Sequence, residues 1–168
     1  MIAVRRATLA DADVIGRTHA ASWRGTYQVL GDAFIATIDD QERVDLWTRI
    51  LAEETDLVVL VAPADAPSGF IYVGESRDDD APPHVGEVLT FYARPEAWGT
   101  GVGRALMDAA IAELRAMGFT EAMLWVLDDN PRARRFYELA GWHDDGGRKH
   151  QSWRGAELDE VRYRIALR

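Results

Sequence analysis

The stretch Trp98-Gly99-Thr100-Gly101-Val102-Gly103-Arg104 constrains the fold more than any other part of the chain. A strand-like segment over 85–94, closed by Pro95, runs into it, and a helical pattern over 102–117, closed by Gly118, runs out of it. Three glycines in five residues at a helix start let the backbone turn tightly with several N–H groups pointing one way. Those groups and the positive end of the helix dipole make an anion site suited to phosphate. A plain strand-to-helix turn that needs glycine for its dihedrals is the competing reading, and the glycines alone do not separate the two. The spacing does exclude two familiar phosphate loops. A P-loop needs Gly-Lys followed by Ser or Thr, whereas Gly103 is followed by Arg104 and Ala105. The dinucleotide fingerprint needs a third Gly or Ala three places beyond its second glycine, and counting from Gly99 and Gly101 that place holds Arg104.

The rest of the pattern predicts one α/β domain over 1–168, a length that suits one sizeable core and is short for two. A short strand over 2–7 leads to a helix start at Thr8, with Asp11 three places on. That helix is expected to end near Ser22 or Trp23, with Val14, Ile15, Thr18 and Ala21 facing inward, and a second begins near Asp39 or Asp40 with Val44, Trp47 and Leu51 on its buried stripe. Apolar runs over 57–61 and 70–73, separated by turn residues, predict a hairpin, and residues 76–83 predict an exposed loop. A buried strand over 121–127 ends at Asp128-Asp129-Asn130-Pro131, a helix entrance with Asn130 as cap. Ala133, Phe136, Tyr137 and Ala140 form that helix's inner face, and Gly141 stops it. Two strands follow, over 142–153 and 160–167, turning at Arg154-Gly155.

Composition excludes several function classes. The formal charge of −9 argues against a nucleic-acid binder; it suits a cationic substrate such as an amine, or solubility alone. No apolar run approaches the ~20 residues of a membrane span, and residues 1–6 lack the apolar core of a signal peptide, which together suit a cytoplasmic protein. The absence of cysteine removes disulfides, thiolate metal sites and a cysteine nucleophile. The four histidines, His19, His84, His143 and His150, show no metal-ligand spacing, so no metal is expected.

With the glycine loop and the closing helix, the chain resembles the GNAT superfamily of N-acetyltransferases. Two motifs carry the resemblance. The acetyl-CoA loop maps onto Trp98, Gly99, Thr100, Gly101, Val102 and Gly103, with Trp98 where the family usually has Arg or Gln. The closing helix carries Asn130, Ala133, Phe136, Tyr137, Glu138, Gly141 and Trp142 at the family's spacing. The resemblance implies a mixed, mostly antiparallel sheet of about seven strands flanked by about four helices, acetyl-CoA as co-substrate, and direct acetyl transfer to an amine. It places the CoA pyrophosphate on the N–H groups of Gly99 to Arg104, the pantetheine arm along Phe91, Tyr92 and Ala93, and a further cofactor contact at Asn130, which also reads as a helix cap alone. Tyr137 resembles the tyrosine that protonates the departing sulfur, against which stands an ordinary core tyrosine. Glu87 stands where family members often carry a glutamate; it reads as the general base or as an outward-facing strand glutamate. His84 and His19 are weaker candidates. In this fold the acceptor pocket is built from the first two helices and the last hairpin, which nominates Ser22, Trp23, Tyr27, His150 and Trp153 as pocket wall or as core packing. The expected acceptor is a small-molecule amine. A protein or peptide amine, and a non-catalytic acyl-CoA-binding regulator, are the alternatives. A homodimer fits the family, though no residue in the sequence marks an interface.

Overall fold

The computed structural model describes residues 1–53 and 58–168. Among them, strands β1 (Arg5–Arg6), β2 (Val58–Ala62), β3 (Gly69–Glu75), β4 (Val85–Ala93), β5 (Glu121–Leu127), β6 (His143–Trp153) and β7 (Ala156–Ala166) form one sheet in the order β1-β2-β3-β4-β5-β7-β6. Every neighbouring pair is antiparallel except β4 and β5. Five α-helices accompany the sheet: α1 (Ala12–Thr26), α2 (Asp32–Ile35), α3 (Asp40–Glu53), α4 (Val102–Ala116) and α5 (Pro131–Leu139). The extra helix over the expected four is the one-turn α2, too short to show a period. The predicted hairpin is β2–β3; its expected first residue, Leu57, lies outside the described residues.

The sheet is covered on both faces, which is why β2 reads as a continuous apolar run rather than an alternation. Val58, Leu60, Ile71, Val73 and Val88 pack with Leu106, Met107, Leu114 and Tyr137 of α4 and α5. Val59, Val61, Phe70 and Tyr72 pack on the other face with Ile15 and Trp47 of α1 and α3. The two helices on that face cross closely at Gly16, where a Cβ would lie 2.5 Å from the Val44 backbone.

Two expectations about α1 are corrected. It runs on to Thr26, because Gly25 is needed inside the helix rather than as its stop: a Cβ there would meet Pro95 and the Trp98 ring at 2.9 Å. His19, Ser22 and Trp23 are buried, whereas Val14 and Ala21 are only half-buried, so the inner stripe is rotated from the expected one. Strand β7 begins at Ala156, earlier than expected, because Arg154 and Gly155 both take positive φ (49° and 76°) and close a tight two-residue hairpin.

The feature that positions the site is the parting of β4 and β5. They pair only at Val85–Glu121, Gly86–Ala122 and Glu87–Met123. Immediately beyond, β4 bulges against β3: Tyr72 pairs with Thr90 and Val73 with Val88, leaving Leu89 extra. The extra residue bends β4, and the two parallel strands separate toward their C-terminal ends.

Candidate active site

The parted strands open a cavity of about 420 Å³ walled by Val88–Ala93, Leu124–Leu127, the glycine loop, the start of α5, and Ser22, Thr26 and Tyr27 of the first helical region. Its upper rim is the glycine loop. Gly99 and Gly101 have φ of 76° and 95°, so these two glycines are required by backbone conformation. Gly103 is neither strained nor crowded; it lies on the cavity wall, its closest neighbours for a Cβ being Phe91 and Phe136 at 3.4 and 3.5 Å. The first α4 hydrogen bond to the loop is Ala105 N–H to the Gly101 carbonyl, at 3.0 Å, so the N–H groups of Val102, Gly103 and Arg104 precede the ladder and have no helical acceptor. A pyrophosphate fits such a cradle. Thr100 and Val102 are not on the wall: the Thr100 hydroxyl and N–H both donate to the Ala97 carbonyl, at 2.7 and 3.3 Å, and the Val102 side chain is buried in the core. Arg104 is engaged by Asp108, its Nε donating to both carboxylate oxygens at 2.8 and 3.0 Å.

Along the β4 wall lie Phe91, Tyr92 and Ala93, whose side toward β5 is the cavity. The Ala93 carbonyl already accepts the Trp98 indole N–H at 3.0 Å. Opposite, Asn130 does cap α5, its side-chain oxygen accepting the Ala133 N–H at 3.1 Å; both residues also line the cavity. Tyr137 lines it one helical level deeper, its ring lying 5.6 to 6.3 Å from those of Phe136, Tyr163, Phe91 and Trp142. Burial, reinforced by Tyr92, raises the proton affinity of its phenol, and nearby Arg132 opposes this.

The carboxylates are arranged differently from expectation. Glu87 is not an outward-facing strand residue: it is 7% exposed, and its Oε2 accepts the Ser76 hydroxyl at 3.0 Å and the Arg77 N–H at 2.8 Å. It is not on the cavity wall. Burial raises its pKa, and those two hydrogen bonds pull it back down. Residues 76–78, expected to be an exposed loop, therefore anchor the site, with Asp78 also accepting the Trp125 indole N–H at 3.1 and 3.2 Å. Among the described residues the one carboxylate on the wall is Glu160 of β7. Val161 and Tyr163 face α4 and α5, so strand alternation turns Glu160 to the α1 side. Gln151 donates to it at 2.9 Å. Burial raises its pKa; Lys149, its cross-strand partner, lowers it, while Asp78 and Glu87 raise it. Sequence reading missed Glu160 because it closes the acidic run Glu157-Leu158-Asp159-Glu160, where only its phase against Val161 and Tyr163 sets it apart.

The remaining candidates divide. Tyr27 and Ser22 line the cavity; burial, then Tyr92, Glu160 and Tyr137, raise the Tyr27 pKa, which marks how closely these groups converge. Trp23 and Trp153 do not line it: they pack edge to face on each other, 4.7 Å between centroids, in a cluster with Phe34. His19 is buried, accepts the Trp47 indole N–H at 3.0 Å through Nδ1, and has its pKa lowered to about 3 by burial and Arg43, which removes it as a base. His84 lies at the surface, 3.6 Å from Glu121, and His150 is exposed between Glu157 and Asp159 at 2.8 and 2.7 Å; neither reaches the cavity. Among the described residues no group of His, Cys, Asp or Glu could hold a metal ion, and no helix is long and apolar enough to cross a membrane.

These features have counterparts in known proteins. The chain is 31% identical over 135 residues to the uncharacterized N-acetyltransferase YuaI of Bacillus subtilis, covering 78% of this chain and 75% of that protein. It is 42% identical over 64 residues to the mycothiol acetyltransferase of Geodermatophilus obscurus, a match spanning 38% of this chain and only 21% of that enzyme's length. Among solved structures, yncA from Salmonella typhimurium with its cofactor acetyl-CoA superposes with a TM-score of 0.74 at 22% identity, over 100% of this chain and 95% of that one. PaiA N-acetyltransferase of Thermoplasma acidophilum in complex with coenzyme A gives 0.67 at 21% identity, over 96% and 98%. The sequence profile described as the acetyltransferase (GNAT) family matches residues 23–142, and the chain therefore belongs to that family.

Proposed function

We propose that this protein transfers the acetyl group of acetyl-CoA directly to the primary amine of a small molecule. The observation that carries the reading is the cavity itself, which passes between the parted strands and has a phosphate cradle on one side of the sheet and a lone carboxylate, Glu160, on the other. The N–H groups of Gly99 and of residues 101–104 hold the pyrophosphate, the backbone of Phe91 and Tyr92 aligns the pantetheine as an added strand, and an N–H of β4 bonds the thioester oxygen as charge develops on it. Asn130 caps α5 with its oxygen and offers its amide nitrogen to the same arm.

On the α1 side, Glu160 accepts the proton of the incoming ammonium, and Tyr27 and Trp125 flank the amine. Asp78 and Glu87, both of which raise the proton affinity of Glu160, suit it to that exchange. Glu87 thus acts from behind the wall, as a support rather than as the base. The amine nitrogen forms the new bond to the acetyl carbon as the carbon–sulfur bond breaks, Tyr137 supplies the proton to the leaving sulfur, and the second proton that the nitrogen sheds on becoming an amide restores the phenol. A small acceptor suits an enclosed, aromatic-lined cavity better than a chain end does. The partial likeness to mycothiol acetyltransferases points the same way.

The test is thermal unfolding with acetyl-CoA, CoA, ATP and NAD at equal concentration, followed by thiol release over a panel of primary amines. A ligand at ~100 times its dissociation constant adds ~2.7 kcal/mol to the folded state. Stabilisation by the two CoA species and thiol release with at least one amine are expected. Binding with no release on any amine would leave the non-catalytic regulator as the better reading. Stabilisation by ATP or NAD instead would refute the donor.

A further inference from the structure

Two cationic side chains lie on the cavity wall among the described residues, and the structure treats them differently. Arg104, in the first turn of α4, is paired with Asp108 one turn along the same helix. Arg132, in the first turn of α5, has neither a hydrogen-bond acceptor nor a carboxylate within ion-pair distance among the described residues. Its guanidinium carbon instead lies 3.6 Å above the Trp98 ring. That ring is itself fixed: its N–H donates to the Ala93 carbonyl at 3.0 Å, and its far edge fills the space left by the missing side chain of Gly25. Contact with the ring face uses none of the guanidinium's hydrogen-bonding capacity, so its N–H groups stay available to an acceptor. An arginine held this way, exposed at the cavity mouth and unpaired among the described residues of a chain of net charge −9, beside the glycine loop that begins one residue after Trp98, is placed to receive an anion.

We propose that Arg132 grips a phosphate of CoA, with Trp98 as its platform, supplying from α5 the side-chain contact that a Trp at position 98 cannot make from the loop. This rests on the acetyl-CoA reading of the cavity but goes beyond it, since Arg132 stands at a position that the closing-helix motif leaves open, between Asn130 and Ala133. Trp98 is a positioning residue here and Arg132 the binding one.

Calorimetric titration of the wild type, Arg132→Ala, Arg132→Lys and Trp98→Leu with CoA and with 3′-dephospho-CoA tests it, each at two salt concentrations. Arg132→Ala is expected to weaken CoA about tenfold or more and to flatten the salt dependence of the dissociation constant, because one charged contact is gone. Arg132→Lys should recover part of the loss. Trp98→Leu should fall between wild type and Arg132→Ala with the salt dependence retained. If the Arg132→Ala penalty persists with 3′-dephospho-CoA, the pyrophosphate is the partner; if it vanishes, the 3′-phosphate is. Either supports the assignment. CoA affinity within twofold of wild type in Arg132→Ala overturns it, as does a loss that leaves the salt dependence untouched, which marks damage to the cavity. The thermal midpoint of each unliganded variant reports that damage independently. Wild-type protein that binds neither CoA species refutes the donor, and this assignment falls with it.

Discussion

In the proposed reaction Tyr137 is the proton donor to sulfur, and its surroundings keep it protonated. Burial raises its pKa, so the phenol stays protonated through neutral pH and above, and no alkaline limb of the rate below pH ~10 should come from it. Tyr137→Phe preserves the ring contacts and removes only the hydroxyl; kcat is expected to fall ~100-fold with CoA affinity unchanged, measured by thiol release and by calorimetry. Equal kcat in that variant would return Tyr137 to the core. Glu160→Gln separates the two carboxylates. The isostere should lower kcat/KM ~100-fold for an accepted amine and abolish the acid limb of its pH profile, because the raised-pKa acid can no longer lose a proton to become a base. The groups facing Glu160 that also titrate are Lys149, Asp78, Glu87 and Tyr27, so the same profile is required of Glu87→Gln. There, removal of a neighbouring negative charge should move the limb to lower pH rather than delete it. A deleted limb in Glu87→Gln with an intact one in Glu160→Gln would reverse the roles.

At the scale of elements, the close packing of α1 on α3 depends on one missing side chain. Gly16→Ala places a methyl carbon 2.5 Å from the Val44 backbone, which no rotamer can relieve, so the helices must separate; a loss of ~2–3 kcal/mol is expected from urea unfolding. An unchanged midpoint would mean that the crossing is looser than drawn. This dependence also shows what the sequence could and could not disclose. Strand β5 and helices α4 and α5 were legible to within a residue, because turn and cap chemistry at Gly118, Asn130, Pro131 and Gly141 punctuates a clean period. The reading of α1 placed Ile15 and Thr18 correctly but missed its length and the burial of His19, Ser22 and Trp23. Gly25 looks like a helix breaker in one dimension, whereas in three it makes room for Pro95 and the Trp98 ring. The glycine-loop wall of the cavity was legible because it is a local motif made of backbone. On the proposed acceptor side, Ser22 and Tyr27, neighbours at the end of α1, were nominated, but Trp125 and Glu160 were not, because they come from two further strands and join them only across the parting of β4 and β5. Trp23 and Trp153 were nominated by the same logic and turn out to hold α1 against the hairpin.

For the whole molecule, the pH dependence of stability combines groups of opposite sign. Asp11 is held below its usual range by Arg5, a hydrogen-bonded pair at 2.8 Å, and Asp145, though burial opposes it, is lowered by the Gly147 N–H and by Arg164 and Arg162. Each contributes stability that is present above the ordinary carboxylate pKa of ~3.9 and is lost as the pH falls below it. Glu87 and Glu160 act the other way: their raised values mean that the folded protein gains stability as they protonate. His19 fills the window between. Its folded pKa is about 3, so it stays neutral while the unfolded chain takes up a proton below pH ~6.5. The folded state then loses ~1.4 kcal/mol per pH unit once the pH is well below 6.5, with the loss complete only near pH 3. Between pH 7 and pH 5 this amounts to ~2 kcal/mol. His19→Asn keeps an acceptor for the Trp47 indole and removes the titration. The difference in urea-unfolding free energy between variant and wild type should therefore shift by ~2 kcal/mol in favour of the variant on going from pH 7 to pH 5, whatever its value at pH 7. Taking the difference cancels the carboxylates, which titrate alike in both proteins. A difference independent of pH would mean that His19 protonates without opening the α1–α3 layer, and that acid sensitivity is set by the ion pairs of Asp11 and Asp145 alone.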